Sequence, residues 1–385
     1  MQIGNEEMKR ICIFSIYDRE GIIDEYVLYY LNSLKQVANR IVIVINGNIS
    51  SIEKKKLDLI TNEVFVRENK GYDAGAYKFA LTKAINHNDI LEYDELILCN
   101  DTCFGPLFSF NEVFDKMERK DYDFWGLNGY FDMIFSHIQS YFLVFSKRVL
   151  KEKSLYDYFE HYIDENSKNL NLVYCSFEVG LFDYLTRIRK YSYGCFSGCP
   201  NLDVYVYSFS YISNYDFPVI KKKTFEDFDK YGANAWSTLN YVKYNTDYNI
   251  DLILDNINRI YGHNILKADI KGDKFPPKEQ KIPLPIVSDE ELESSIKDRR
   301  FYIYGTGMYG YKTYWRYALN NPLFKGFVIS DGREMLNKEL FGFPIIYYSD
   351  LELDEEERVV VGLGPEYTKE LMPLIEKDNR FIRIF

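Results

Sequence analysis

The stretch RENKGYDAGA, Arg67 to Ala76, decides how the first half of the chain is read. It follows a short apolar run, Glu63 to Arg67, and leads into a helically periodic segment, Ala74 to Ile85, so it is the turn between a strand and a helix. Gly71 permits a tight backbone turn there, Asp73 is placed to cap the helix, and Gly75 lets a ligand or a strand come close. Carboxamide and carboxylate groups above small residues form a shelf suited to a nucleotide base and ribose. Glu68, Asn69, Gly71, Asp73 and Gly75 are the residues that would build it. The same residues also suit a plain helix cap, and the turn alone does not choose.

Outward from this turn, RICIFSIY (Arg10 to Tyr17) and RIVIVIN (Arg40 to Asn46) are expected as strands, with Tyr26, Leu28, Tyr29, Leu31 and Leu34 on a helix between them. Downstream, DELILC supplies a fourth buried strand that ends in Asn100-Asp101-Thr102, after which Cys103-Phe104-Gly105-Pro106 turns the chain. Strands alternating with crossover helices predict an α/β fold with a parallel sheet, whose ligands lie beyond the carboxyl ends of the strands. An acid at such an end is badly solvated unless it meets a cation or donors. Asp101, with Asn100 beside it, is therefore the expected ligand of Mg2+ or Mn2+, the other positions being filled by diphosphate and water. Asn100 and Thr102 stand where further acids would complete an acid-x-acid pattern. After this point come a helix near Asn111 to Glu118, strands at Asp123 to Leu127 and Ser140 to Phe145, and helices near Ser154 to Glu165 and Phe177 to Arg189.

Five ordered blocks, RENKGYDAGAYKFAL, DELILCNDTCFGPL, DFWGL, HIQSYFLVFSKRVL and SFEVGL, resemble the rhamnan synthesis protein F family of bacterial polysaccharide glycosyltransferases over roughly residues 10 to 265. The resemblance implies a GT-A-like glycosyltransferase domain, a nucleotide-diphosphate sugar donor such as dTDP-rhamnose or another deoxyhexose, and a lipid-linked or oligosaccharide acceptor. It also implies inversion at the sugar carbon. An inverting transferase needs a base for the acceptor hydroxyl. Glu178, expected at the start of a helix where its dipole also favours a carboxylate, and His137, which would contact the diphosphate, metal or acceptor or else satisfy the backbone, are the catalytic candidates. Trp125 is either a platform for a sugar face or a core residue, and Asp123 beside it is a weaker polar candidate.

The Pro-rich segment from 271 to about 287, carrying Pro276, Pro277, Pro283 and Pro285, reads as a linker. It divides the chain into a domain at 1–270, a linker and helix at 271–298, and a small Rossmann-like α/β domain at 299–385. In the last, Gly305-x-Gly307-x-x-Gly310 follows a strand and precedes a helix, with Asp331 at the end of the next strand, as in a dinucleotide-binding fingerprint. The stretches GFVISD and FGFPI there are similar to those of small nucleotide- or CoA-binding-type modules of polysaccharide enzymes. That leaves two rivals to the transferase: an NAD-dependent nucleotide-sugar reductase or epimerase using the glycine loop, and a non-catalytic scaffold that only binds a sugar nucleotide.

A net charge of −11 argues against nucleic acid as a partner. The basic run Lys221-Lys222-Lys223 meets a pyrophosphate or an anionic lipid surface, or is a solvated turn. The 17 % aromatic content fits a biased coding composition as well as a sugar-lined site, and the six cysteines read as reduced thiols. The amino terminus lacks a leader pattern, so a cytoplasmic place is expected, with peripheral association at the inner face of the membrane.

Overall fold

RICIFSI forms β1 (Arg10–Ile16), every residue of which is buried. RIVIVIN forms β2 (Arg40–Asn46), VFVR forms β3 (Val64–Arg67), and ELILCN forms β4 (Glu95–Asn100), again wholly buried. Strands covered on both faces carry unbroken apolar runs, and parallel pairing follows: β1 lies between β2 and β4, and β2 pairs with β3. Further along come β5 (Cys103–Phe104), β6 (Phe124–Gly126), β7 (Gly129–Tyr130), β8 (His137–Ile138), β9 (Phe142–Ser146), β10 (Tyr193–Cys195) and β11 (Ile220–Lys221). β9 runs antiparallel to β4 and β6, giving a seven-stranded sheet of order β10-β6-β9-β4-β1-β2-β3. β11 pairs antiparallel with β5, away from that sheet.

The computed structural model describes residues 8–131, 136–198, 203–226, 228–262, 289–335, 337–375 and 377–384. The expected linker falls largely on 263–288, outside the described residues. The chain divides into two compact units, the first comprising Met1–Tyr130, Ile138–Lys168 and Tyr184–Lys278. The second comprises Phe131–His137, Asn169–Asp183 and Glu279–Phe385, so it draws in two pieces of sequence that the reading above places in 1–270. Among the described residues, no helix is long and apolar enough to cross a membrane.

In the first unit the helix α1 (Glu25–Leu34) buries Tyr26, Val27, Tyr30, Leu31 and Leu34, an i, i+4 stripe. Tyr30 meets Phe14 of β1 and Phe110, with ring centroids 5.6 and 5.3 Å away. A short helix α2 (Ser51–Lys55), capped by the Ser50 side chain, precedes β3. The helix α3 (Tyr72–Phe79) follows β3 and ends in a π-turn over Ala80–Ala84. The helix Asp251–Tyr261 fixes the loop after β1: its Arg259 donates to Asp18, to Glu20 at 3.1 Å, and to both oxygens of Asp24 at 3.0 and 2.6 Å.

The second unit holds the helix Leu170–Tyr174, which runs into a π-turn at Cys175–Gly180. The sequence reading begins this helix at Phe177; it starts earlier because the Asn169 side chain caps it, accepting from the Leu172 N–H. The carboxyl-terminal part contributes β12 (Phe301–Tyr304), β13 (Phe324–Ile329), β14 (Glu339–Leu340), β15 (Phe343–Tyr347), β16 (Arg358–Val361) and β17 (Phe381–Arg383). Their order is β14-β15-β13-β12-β16-β17, parallel throughout except for the β14 edge.

Removing the Arg259 guanidinium leaves Asp18 and Asp24, both largely buried, without their counter-charge. Arg259→Ala should therefore lower unfolding free energy by ~2–4 kcal/mol, toward the cost of breaking a buried pair, as read by urea denaturation followed by circular dichroism.

Candidate functional site

The parallel strands of the first unit end in polar residues: Ser15 is the penultimate residue of β1, Asn46 closes β2, Arg67 closes β3 and Asn100 closes β4. Ser15, Asn46 and Asn100 are no more than 2 % exposed, so their polar groups need partners. The Arg67 guanidinium donates to Asn46 Oδ1 at 2.7 Å. The Asn46 amide donates to the Tyr72 carbonyl at 3.1 Å and to Ser15 Oγ at 3.4 Å. Ser15 Oγ in turn donates to Asp73 Oδ1 at 2.9 Å, and Asn100 Nδ2 donates to Asp73 Oδ2 at 2.7 Å. Asp73 thus ties the ends of β1 and β4 together. It does not cap α3, contrary to expectation: Gly71 precedes the helix with φ +68°, Asp73 lies in its first turn, and its carboxylate is taken up by the strand ends.

Burial, then the neighbouring Asp101 carboxylate, pushes the Asp73 carboxyl from 3.8 to about 6, against the pull of Ser15, Lys221 and Asn100. Asp101 is 5 % exposed. Its Oδ1 accepts the Tyr17 N–H at 3.4 Å, and its Oδ2 lies 3.7 Å from Lys222 Nζ. Burial raises its carboxyl above the ordinary value while Lys222 and Tyr17 oppose the rise. The carbonyl of Asp101 accepts from the Tyr26 hydroxyl at 2.8 Å. Thr102 Oγ1 donates to Asn100 Oδ1 at 2.6 Å and accepts from Lys221 Nζ at 2.6 Å. A hydrogen-bonded path therefore runs from Arg67 to Lys221 across four strand ends.

Ser15, Asn46, Arg67, Tyr26, Lys221 and Lys222 belong to this cluster, though the sequence singles out only the lysines for anion chemistry; Asn46 and Arg67 close apolar runs and Ser15 lies one residue before the end of one. Of the expected shelf, Glu68 turns outward: its carboxylate is 72 % exposed and paired with Lys70 at 2.7 Å. Asn69 is half-buried, and its side chain makes no hydrogen bond with any described residue. Gly71 is required by close approach, since a Cβ there would come 2.9 Å from Glu165 Cα. At Gly75 the close neighbours are the Lys70 carbonyl and the Arg67 guanidinium, so its smallness serves the turn itself.

A divalent ion on Asp101 finds a sparse donor set. Asn100 and Thr102 are engaged with each other, and one carboxylate oxygen faces an ammonium. Among the described residues, no group of three or more His, Cys, Asp and Glu is arranged to hold a metal. The residues present fit an ion pair better than a protein-held metal.

His137 and Glu178 come together in the second unit, with Nε2 and Oε2 3.7 Å apart, and the Tyr174 hydroxyl is 3.2 Å from the same imidazole nitrogen. Glu178 lies within the π-turn and not at a helix start, because the helix begins at Leu170; its carboxylate has the imidazole beside it and no helix dipole. Trp125 is 3 % exposed and packs on Phe114 at 5.2 Å, a core residue. Asp123 pairs with Arg148 at 3.0 Å. Both line a cavity of about 790 Å³ beside Glu95, at the end of β4 remote from Asp101. In the carboxyl-terminal loop, Gly305 has φ +115° and packs against Gly362 and Leu363, Gly310 packs against the Gly305 carbonyl, and a Cβ at Gly307 would meet nothing within 4 Å. Asp331 is exposed and accepts the Ser349 N–H at 3.0 Å.

Because Asp73 titrates higher folded than unfolded, the folded chain holds the extra proton between 3.8 and about 6. Its contribution to stability is full below the unfolded value and is lost as pH rises through the folded one. Asp73→Asn lacks this titration. Its stability relative to the parent should rise between about pH 4 and pH 6.5, by on the order of 2 kcal/mol, in paired thermal melts. A difference independent of pH would mean an ordinary carboxyl.

The family model for rhamnan synthesis protein F matches residues 41–270, more than half of the chain. A search of curated proteins finds no match. Among solved structures, the chain is similar to a protein described as a nucleotide-diphospho-sugar transferase from Desulfovibrio desulfuricans, at 17 % identity over 48 % of this chain and 78 % of that one, with a TM-score of 0.29. It is similar to a 4-diphosphocytidyl-2C-methyl-D-erythritol synthase from Anaerococcus prevotii at 12 % identity over 51 % and 91 %, TM-score 0.33. A third is the Mn/GDP form of core-mannan synthase A from Aspergillus fumigatus, at 10 % identity, 39 % of this chain and 63 % of that one, TM-score 0.28. At such scores these likenesses carry no weight for the chemistry, whereas the family match spans β2 through the helix that bears Arg259. The chain belongs to the rhamnan synthesis protein F family.

Proposed function

We propose that the chain is a glycosyltransferase with a GT-A-like first unit, moving a sugar from a nucleotide-diphosphate donor to a cell-surface polysaccharide precursor. The observation that carries this reading is Asp73 clamped between Ser15 and Asn100, with Asp101 immediately beyond, where parallel strands end and an α/β sheet binds its ligands. Asn69 and Asp73 take the base and ribose, and Asp101 sits next to the diphosphate. Family membership favours a deoxyhexose, with dTDP-rhamnose as the first donor to try, a lipid-linked or oligosaccharide acceptor and inversion at the sugar carbon. Glu178 is the proposed base for the acceptor hydroxyl, with His137 alongside to steady its charge. The expected Mg2+ or Mn2+ has one carboxylate to bind, and no step is routed through it.

One observation favours a second reading of the carboxyl-terminal unit. Gly307 faces open space between two glycines that the turn requires, which suits a Rossmann-like module binding a nucleotide in a regulatory or assembly role. Thermal shifts with NAD, dTDP, UDP and GDP separate the readings: a response to NAD alone would favour the reductase.

Release of nucleoside diphosphate from dTDP-, UDP- and GDP-sugars, with and without manganese, tests the transferase. Asp101→Asn should cut turnover by ~10²-fold with an unchanged circular dichroism spectrum, because Lys222 loses the carboxylate that holds its ammonium in place. Turnover retained with any donor would remove Asp101 from the mechanism. Glu178→Gln should lower kcat for transfer by about 10²–10⁴-fold while leaving donor affinity as it was. Equal loss of donor binding would instead mark Glu178 as a structural residue.

A further inference from the structure

We propose that Lys221 and Lys222 bind the donor diphosphate directly, as its counter-charge, and that donor binding needs no divalent ion. The assignment rests on the donor site described above and names its anion-binding groups.

The three consecutive lysines have different surroundings. β11 pairs with β5 so that Lys221 stands opposite Cys103 and Ile220 opposite Phe104, which brings the run to the residues just after Asp101. The Lys222 N–H donates to the Thr102 carbonyl at 2.9 Å, locking the register. Lys221 Nζ donates to Thr102 Oγ1 at 2.6 Å and rests 4.4 Å above the Tyr141 ring. Lys222 Nζ donates to the Tyr26 hydroxyl at 2.9 Å and faces Asp101 Oδ2 at 3.7 Å. Lys223 points elsewhere, over the Tyr205 ring, and is exposed.

Two ammonium groups are thus held at the carboxyl ends of the strands, in a chain whose net charge is −11. Each has a hydroxyl partner and three N–H groups, so each keeps N–H groups for an incoming anion. The Lys222 ammonium has Asp101 on one side, and both oxygens of Asp73 are already taken by Ser15 and Asn100, so the remaining ammonium N–H groups are left for a diphosphate. A divalent ion on Asp101 Oδ2 would stand against the Lys222 ammonium and would have to displace it from both Tyr26 and Asp101.

In the transfer step the bond from the sugar carbon to the phosphate oxygen breaks, its electron pair leaving on the diphosphate. The acceptor oxygen bonds to the same carbon, and the acceptor proton passes to the base. Charge grows on the diphosphate oxygens, where N–H donors from Lys221 and Lys222 stabilise it more than they do the intact donor.

Calorimetric titration of the full chain with dTDP, UDP and GDP, and with their monophosphates, tests this in excess EDTA and again in manganese chloride. The expected result is that a nucleoside diphosphate binds in EDTA nearly as well as in manganese. Lys222→Gln and Lys221→Gln should each weaken that diphosphate by about tenfold or more, the value of a charge-assisted hydrogen bond, with little change for the monophosphate. Lys222→Arg should retain most of the affinity, and Lys223→Gln all of it. Binding that appears only with manganese overturns the proposal, as do Lys221→Gln and Lys222→Gln proteins that melt and bind like the parent. If no nucleoside diphosphate binds in either buffer, the donor reading itself fails, and the lysine assignment with it.

Discussion

A carboxylate bridging two strand ends organises the first unit. Asp73 accepts from Ser15 on β1 and from Asn100 on β4, and these two strands are neighbours at the centre of the sheet. Because the acid is carried by the first turn of α3, the same bonds fix where that helix begins relative to the sheet. The cost is electrostatic, since a second acid, Asp101, follows Asn100 directly. The site tolerates this by raising the carboxyl of Asp73 and by setting Lys222 against Asp101.

Much of the first unit's framework was legible in the sequence, and the reason is burial on both faces. RIVIVIN reads as a strand without competition because no helix would bury Ile, Val and Ile in succession together with their neighbours, and β2 has the bounds so expected. Similar runs mark β1, β4 and β12. Short strands with mixed patterns, such as β10, β11 and β17, left no such trace. Their places are set by partners far away in sequence, as when β11 joins β5.

In the candidate site the sequence points to the acids and not to the groups around them. Asp73 and Asp101 stood out as chargeable groups beside glycines and at a strand end. Ser15 and Asn46 did not, because a serine or asparagine closing an apolar run carries no signal of its direction. Glu68 read as part of the shelf only because it adjoins it; one residue past a strand, its side chain turns out to solvent and pairs with Lys70. The helix containing Glu178 was misread at its start for a related reason: LNLVYCSF is apolar enough to hide a boundary that a single residue, Asn169, sets.

The hydrogen bonds around the strand ends join Ser15, Asp73, Asn100, Lys221 and Lys222, and Arg259 secures the loop after β1. These residues leave the ribosome far apart in time. When β4 is complete its acidic end has no lysine opposite it, and the loop carrying Asp18 and Asp24 waits longer still for its arginine. Contacts so distant along the chain close late and slowly. The nascent first unit is therefore an acidic, unfinished sheet until the helix Asp251–Tyr261 has emerged, and that helix works as a latch.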